Sequence, residues 1–306
     1  MSNLATHTPV LINVVGPTAI GKTKLAIELA NHFHTEIISA DSRQFYKELS
    51  IGTAAPDAEE LAAATHHFIQ NRSITEDYSV GAYEKDVIEK LKYLFRKYPV
   101  VIAVGGSGLY IDAINKGLNY FPKVDPKIKK ELAEQYSKLG IEYLQNELKK
   151  LDPEYYEKVD IHNHTRLLRA LEVSKSSGKP YSSFLGQELE PRFFKSVYIG
   201  LNADRELLYN RINKRVDIMM QNGLLNEVKS VITYRDHNAL QTVGYKELFL
   251  HLDGKITLDK AIEEIKKNSR RYAKRQLTWF KRNPETIWVD YNLDFSQVLE
   301  KVKSAL

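Results

Sequence analysis

Four short apolar runs, Leu11–Val15, Glu36–Ser39, Val100–Val104 and Ser196–Leu201, are separated along this chain by segments whose apolar residues recur every three or four positions. A continuous apolar run suits a strand buried on both faces, and a three-to-four repeat suits a helix lying on such a sheet. The pattern therefore predicts an α/β fold: a parallel sheet flanked by helices on both faces. Between about Lys116 and Pro191 the character changes to charged, helix-favouring sequence, as in Pro126 to Glu134 and Leu144 to Lys150, with no strand signal. We read residues 116–191 as a helical insertion domain, and residues 1–115 with 192–306 as the core domain. After Asp204 the pattern is mainly helical, with one last short run at Thr286–Val289. There is no internal repeat or low-complexity tract.

The first apolar run opens directly onto Gly16-Pro17-Thr18-Ala19-Ile20-Gly21-Lys22-Thr23. This spells a phosphate-binding loop in its proper context: a strand, a tight turn, then an amphipathic segment carrying Leu25, Leu29 and Phe33 on one face. In such a loop the backbone N–H groups point at phosphate oxygens and a helix starts at the lysine with its positive end towards the ligand. Gly16, Thr18, Ala19, Gly21, Lys22 and Thr23 are the expected diphosphate contacts. Lys22 would reach the terminal phosphates, and the Thr23 hydroxyl would ligate Mg2+. The loop does not name the reaction.

Two further segments end at the same carboxyl edge of a parallel sheet. One is Asp41-Ser42-Arg43-Gln44-Phe45-Tyr46, where the position of Asp41 suits a proton acceptor, a magnesium ligand through water, or a cap on the next helix; position alone does not separate these. The other is Gly105-Gly106-Ser107-Gly108, where paired glycines permit close backbone approach and the Ser107 hydroxyl can donate to a phosphate oxygen, or where a simple turn precedes a helix. Phosphate-loop kinases and ATPases usually end a strand in Asp to organise magnesium and water. The Val100 run ends in Gly-Gly-Ser with no acid following, which weakens an ATP-hydrolysing reading.

Composition narrows the picture. With 306 residues and 43% hydrophobic content the chain can bury a large core. It has no apolar run of about eighteen residues, and Met1 to His7 lack the basic start and hydrophobic block of a secretion signal, so we expect a cytoplasmic protein without a membrane span. Zero cysteines exclude disulfides and thiolate metal sites. The net charge is +5, but residues 266–282 alone hold +8 with no acid, leaving −3 for the rest. On a helix Lys267, Arg270, Arg271, Lys274 and Lys281 share one face, with Ile262, Ile265, Ala273 and Phe280 near the other. A dense basic face on an otherwise mildly acidic body suits a nucleic acid, although a solvated helix face has the same outline.

Taken together these segments resemble the tRNA dimethylallyltransferase family. The likeness rests on residues 16–23, 41–46 and 105–110, and on Ile51-Gly52-Thr53-Ala54, His66-His67, Arg166 to Val173 and Ser177 to Pro180. It continues through Arg215 to Met220, Gly223-Leu224, Val243-Gly244-Tyr245 and Arg275 to Phe280. The resemblance implies a P-loop NTPase-like fold and transfer of a dimethylallyl group from dimethylallyl diphosphate to the N6 amine of adenosine 37, beside the anticodon of tRNA. The loop then grips a leaving diphosphate, which accounts for the missing second acid.

On that reading Asp41 is the general base for a weakly nucleophilic amine, and Ser107, Mg2+ at Thr23 and arginines stabilise the departing charge. Arg211 is the first choice among Arg205, Arg211 and Arg215. Gln44 has the amide geometry to read an adenine edge, and Arg271 and Arg275 would hold phosphates of the anticodon stem-loop. The helical insertion would also contact tRNA, and a monomer is expected. His66 and His67 look like a metal pair, yet adjacent side chains diverge and no third ligand is apparent; the resemblance puts them near the prenyl site, and structural packing fits them as well. Ser107 stands where the family commonly has Thr, and Ile20 where a small polar residue is frequent. The zinc-finger extension of some eukaryotic relatives is absent. Two other readings stay open: a small-molecule or nucleotide kinase, which leaves the basic cluster unexplained, and a non-catalytic nucleic-acid-binding protein, which leaves the convergence of Asp41, Ser107 and the loop unexplained.

Overall fold

A computed structural model describes residues 8–306, so the N-terminal stretch on which the no-leader expectation rests lies outside the described residues. The chain divides into two compact units, one ending at Lys116 and resuming over Arg192–Leu306, the other Gly117–Pro191.

The first unit is built on a six-stranded sheet of β1 (Val10–Val15), β2 (Ile37–Ser39), β3 (His66–His67), β4 (Val100–Val104), β5 (Lys195–Asn202) and β6 (Thr286–Asp290). Its order is β3-β2-β4-β1-β5-β6, with every pairing parallel. Strand alternation sends Ile12 and Val14 to one face and Leu11 and Val15 to the other, and all four are fully buried. On the first face they pack with α1 (Lys22–His32), α9 (Arg205–Gln221) and α13 (Phe295–Ala305); on the second with α3 (Val80–Leu94) and α4 (Gly108–Lys116). Asn13, the one polar residue of β1, is also fully buried. Its amide exchanges hydrogen bonds with Asn115 of α4 at 3.0 and 2.9 Å, so no polar group there is stranded.

The edge strand β3 carries no signal in the sequence. Two histidines are too few for a pattern, and Ile37 pairing with His66 creates the strand through tertiary contact. The short α2 (Ala58–Ala63) leads into it from a capping box made by Asp57 and Glu60.

From β1 the chain turns towards β2, and from β4 it turns the other way towards β5, so the crevice at the carboxyl ends of β1 and β4 is a topological switch point. Beyond this edge a third cluster gathers α10 (Leu224–Ser230), α11 (Tyr245–Leu252) and α12 (Leu258–Phe280) around Leu224, Tyr245, Leu248 and Ile265.

The second unit is helical, with α5 (Pro126–Leu139), α6 (Ile141–Leu151), α7 (Pro153–Tyr156) and α8 (His164–Ser177) packed around Leu132, Leu144, Leu148, Leu167 and Leu171. Asp152 is completely buried and satisfied, accepting from Tyr155 N–H and from the N–H and hydroxyl of Ser182.

Candidate active site

Val15 hands the chain to Gly16, whose φ of 140° and position against β5 admit no side chain: a Cβ would lie 2.7 Å from the Leu201 carbonyl oxygen. Ala19 takes a left-handed φ of 63°, a conformation that costs a non-glycine residue energy and therefore needs holding in place. Gly21 precedes α1 without a side-chain cap, which leaves the first N–H groups of an eleven-residue helix for an anion. The Lys22 ammonium donates to Pro17 O at 2.8 Å. Burial lowers its pKa to about 8, with Asp41 acting against that shift and Arg215 adding to it.

Two cations of α9 hold the loop. Arg211 Nε donates to Ala19 O at 2.8 Å, and Arg215, one turn on, donates to Thr18 Oγ1 at 3.3 Å. Burial lowers the pKa of Arg215, opposed by the charges of Asp41 and Glu60. Arg205, the other candidate, instead packs over the Tyr209 ring at 5.2 Å.

Asp41 follows β2 by two residues and accepts the Arg43 N–H at 3.0 Å. No helix follows, so the helix-cap alternative falls away: the carboxylate stabilises a turn and keeps its second oxygen. Ser107 Oγ accepts the Ser42 N–H at 3.0 Å and donates to Ser42 Oγ at 3.2 Å. Its hydroxyl thus links the ends of β2 and β4 and does not line the cavity beside the phosphate loop. Those strand ends lie so close that a Cβ on Gly105 would sit 2.2 Å from Ala40 O.

Gln276 of α12 lies inside the Arg275 to Phe280 segment that carries the resemblance, but the sequence assigns it no role. Its side chain is 5% exposed; Oε1 accepts the Thr18 N–H at 2.8 Å and Nε2 donates to Gly106 O at 2.8 Å. Tyr272, one turn earlier, has its phenol pushed up to about 12, chiefly by burial and then by the charge of Asp41. The basic run on this helix is more neutralised than residues 266–282 suggest. Lys266 pairs with Asp217 at 2.9 Å and Lys267 with Glu264 at 3.0 Å, while Arg270 donates to Asn213 at 2.7 Å. Among the described residues no carboxylate pairs with Arg271, Lys274 or Arg275, all of them exposed.

Two adjoining cavities meet here. One, of about 510 Å³, is lined by Thr18, Ala19 and Gly21 to Thr23 of the phosphate loop together with Asp41, Arg211, Arg215 and Gln276. The other, of about 450 Å³, is lined by Arg43, Met219, Thr242, Asn268, Arg275 and neighbours. Thr18, Ala19, Asp41, Thr53, Arg215 and Tyr272 belong to both. Asp41 therefore stands where a ligand in one cavity can meet a ligand in the other.

Gln44 also lines the first cavity, but its amide nitrogen donates to Thr53 O at 3.3 Å and Ala54 O at 2.9 Å. The protein uses these donors itself, so the expected adenine-reading geometry is not free in this state. The histidine pair divides as well. His67 bonds Glu36 at 2.5 Å, whereas His66 donates its Nδ1–H to Ala64 O at 2.8 Å and leaves Nε2 buried beside the first cavity. Among the described residues no three His, Cys, Asp or Glu side chains gather to hold a metal. Magnesium in a diphosphate site needs no such cluster, since it keeps several waters and binds phosphate oxygens with one or two protein ligands. Thr23 in the cavity wall, with water and phosphate oxygens completing the set, fits that requirement.

A family profile described as IPP transferase matches residues 44–283. The tRNA dimethylallyltransferase of Christiangramia forsetii is 57% identical over 97% of this chain and 98% of its own length, and that of Flavobacterium johnsoniae is 55% identical over 97% and 99%. The chain belongs to the IPP transferase family. Solved structures of family members agree. The tRNA isopentenylpyrophosphate transferase of Bacillus halodurans superposes with a TM-score of 0.71 at 36% identity, over 98% of this chain and 95% of that one. A eukaryotic dimethylallyltransferase acting on tRNA gives 0.77 at 27% identity, over 97% and 77%. The IPP transferase fold here is the P-loop NTPase-like sheet that the sequence predicts, and the family match begins beyond the phosphate loop, at Gln44.

Proposed function

We propose that this enzyme transfers the dimethylallyl group of dimethylallyl diphosphate to the N6 amine of adenosine 37 in tRNA and releases diphosphate. The observation that carries this reading is the placement of Asp41 in the wall common to two cavities, one bearing the phosphate loop and the other Arg275. Diphosphate sits on the loop N–H groups and the α1 terminus, with Lys22, Arg215 and Arg211 around it. Mg2+, held through Thr23, would offset charge on the leaving oxygens.

The adenine is drawn out of the anticodon loop into the second cavity, where its stacking is exchanged for protein contacts. The N6 lone pair forms a C–N bond to the first allylic carbon as the C–O bond to diphosphate breaks, and the amine proton passes to Asp41. Ser107 acts by fixing Ser42 beside that carboxylate, and Gln44 by holding Thr53 and Ala54 in the wall. Arg271 and Arg275, which pair with no carboxylate among the described residues, take anticodon-stem phosphates, and residues 116–191 supply a second tRNA contact. The reaction takes place in the cytoplasm on a monomer; no helix among the described residues is long and apolar enough to cross a membrane.

Incubating the protein with dimethylallyl diphosphate labelled in the prenyl chain, Mg2+ and unmodified tRNA tests this reading. Label appears in RNA; RNA that stays unlabelled overturns the reading.

A further inference from the structure

Gln276 connects three parts of the site that are far apart in sequence. Its carboxamide accepts from Thr18 in the phosphate loop and donates to Gly106 at the end of β4, while the side chain belongs to α12. The next residue before it, Arg275, lines the second cavity, and Trp279, one turn on, donates Nε1 to Asp112 of α4 at 2.8 Å. The fit at Gly106 is tight enough that a Cβ there would stand 2.2 Å from Gln276 Nε2.

The chemistry demanded at this point is narrow. One atom must accept from an N–H and its neighbour, in the same plane, must donate to a carbonyl; a primary amide does both. A carboxylate would turn an oxygen towards Gly106 O with no proton between them, and a thioether would satisfy neither group. We propose that Gln276 is a positioning residue for the donor: it clamps the phosphate loop between α12 and the end of β4, so that the cradle has its binding shape before diphosphate arrives. The inference rests on the diphosphate reading above and adds a residue that does not touch the reacting atoms.

The test measures the affinity of inorganic pyrophosphate with Mg2+ by calorimetry, and KM and kcat for the prenyl donor, in the full-length protein and in Gln276→Met and Gln276→Glu. Losing the two bonds weakens pyrophosphate binding and raises the donor KM by about tenfold or more, with kcat and tRNA affinity within a few-fold of wild type. Gln276→Glu carries a distinctive signature. Once protonated its carboxyl can donate to Gly106 and accept from Thr18, so its affinity relative to wild type recovers as pH falls through the titration of that carboxyl. If Gln276→Met fails to fold, this recovery alone decides. Pyrophosphate binding equal to wild type in the variants, or a flat ratio across pH for Gln276→Glu, overturns the inference. A wild-type protein that does not bind pyrophosphate at all overturns the diphosphate reading instead, and the inference with it.

Discussion

The Glu227 carboxylate of α10 accepts the Ile51 N–H at 2.7 Å across 176 positions of sequence. The same group takes the N–H of Ser50 and of Gly52, the Ser50 hydroxyl and the Tyr245 phenol, so one side chain shapes the loop that carries Thr53 and Ala54 into the cavity walls. Glu227→Ala leaves these donors unmet. We expect a fall in kcat/KM of about tenfold or more and a thermal midpoint lower by several degrees, measured by label transfer and calorimetry. Full activity with an unchanged midpoint would show that the loop holds itself.

Asp41→Asn keeps the shape and the Arg43 N–H contact but cannot take the amine proton. Single-turnover prenyl transfer should slow by about a hundredfold or more while pyrophosphate affinity stays within a few-fold of wild type. A wild-type rate would remove Asp41 from the general-base role.

Arg215 and Arg211 separate by burial and partner. Arg215→Ala removes a desolvated cation from both cavities and should raise the donor KM and lower kcat together, by about a hundredfold in kcat/KM. Arg211→Ala, whose side chain holds Ala19 from an exposed site, should cost about tenfold or less. Steady-state kinetics of the two variants, side by side, check the ranking.

Lys22 gives the donor site a pH dependence with a definite sign. Its pKa is lowered from 10.5 to about 8, so in the empty enzyme the ammonium is present below about pH 8 and lost above it. Pyrophosphate affinity should hold below that point and decline as pH rises through it. For folding the sign is opposite: burying the charged form costs stability below about pH 8, and that cost is relieved as pH rises towards 10.5. Affinity that is flat to pH 9.5 would show that the ammonium is not the contact.

On α12 the free cations and the paired ones should behave differently. Arg271→Ala and Arg275→Ala should each weaken tRNA binding and reduce the slope of log affinity against log salt by about one. Lys266→Ala, whose charge is spent on Asp217 and Glu263, should leave that slope alone.

The parts of this molecule that were legible in the sequence are those whose cause is local. Apolar runs gave β1, β4 and β5 to within two residues, because strands buried on both faces need unbroken hydrophobic sequence. The phosphate loop was legible because its conformation is dictated by Gly16 and Gly21 and by the helix that follows. Gln276, Glu227 and the strand at His66 were not, since each owes its role to partners brought close by the fold. The basic run misled in part for the same reason. Glu263 and Glu264 lie just before the window that holds +8, and Asp217 reaches it from α9.

The most direct test of the account is a crystal structure with Mg2+, an anticodon stem-loop and a non-transferable thiolo analogue of dimethylallyl diphosphate. The diphosphate should lie against residues 16–23 and the N6 amine of adenosine 37 within about 3.2 Å of an Asp41 carboxylate oxygen, with the prenyl carbon between diphosphate and amine. A stem-loop whose adenosine stays stacked away from Asp41, or an analogue that leaves the phosphate loop empty, would contradict it.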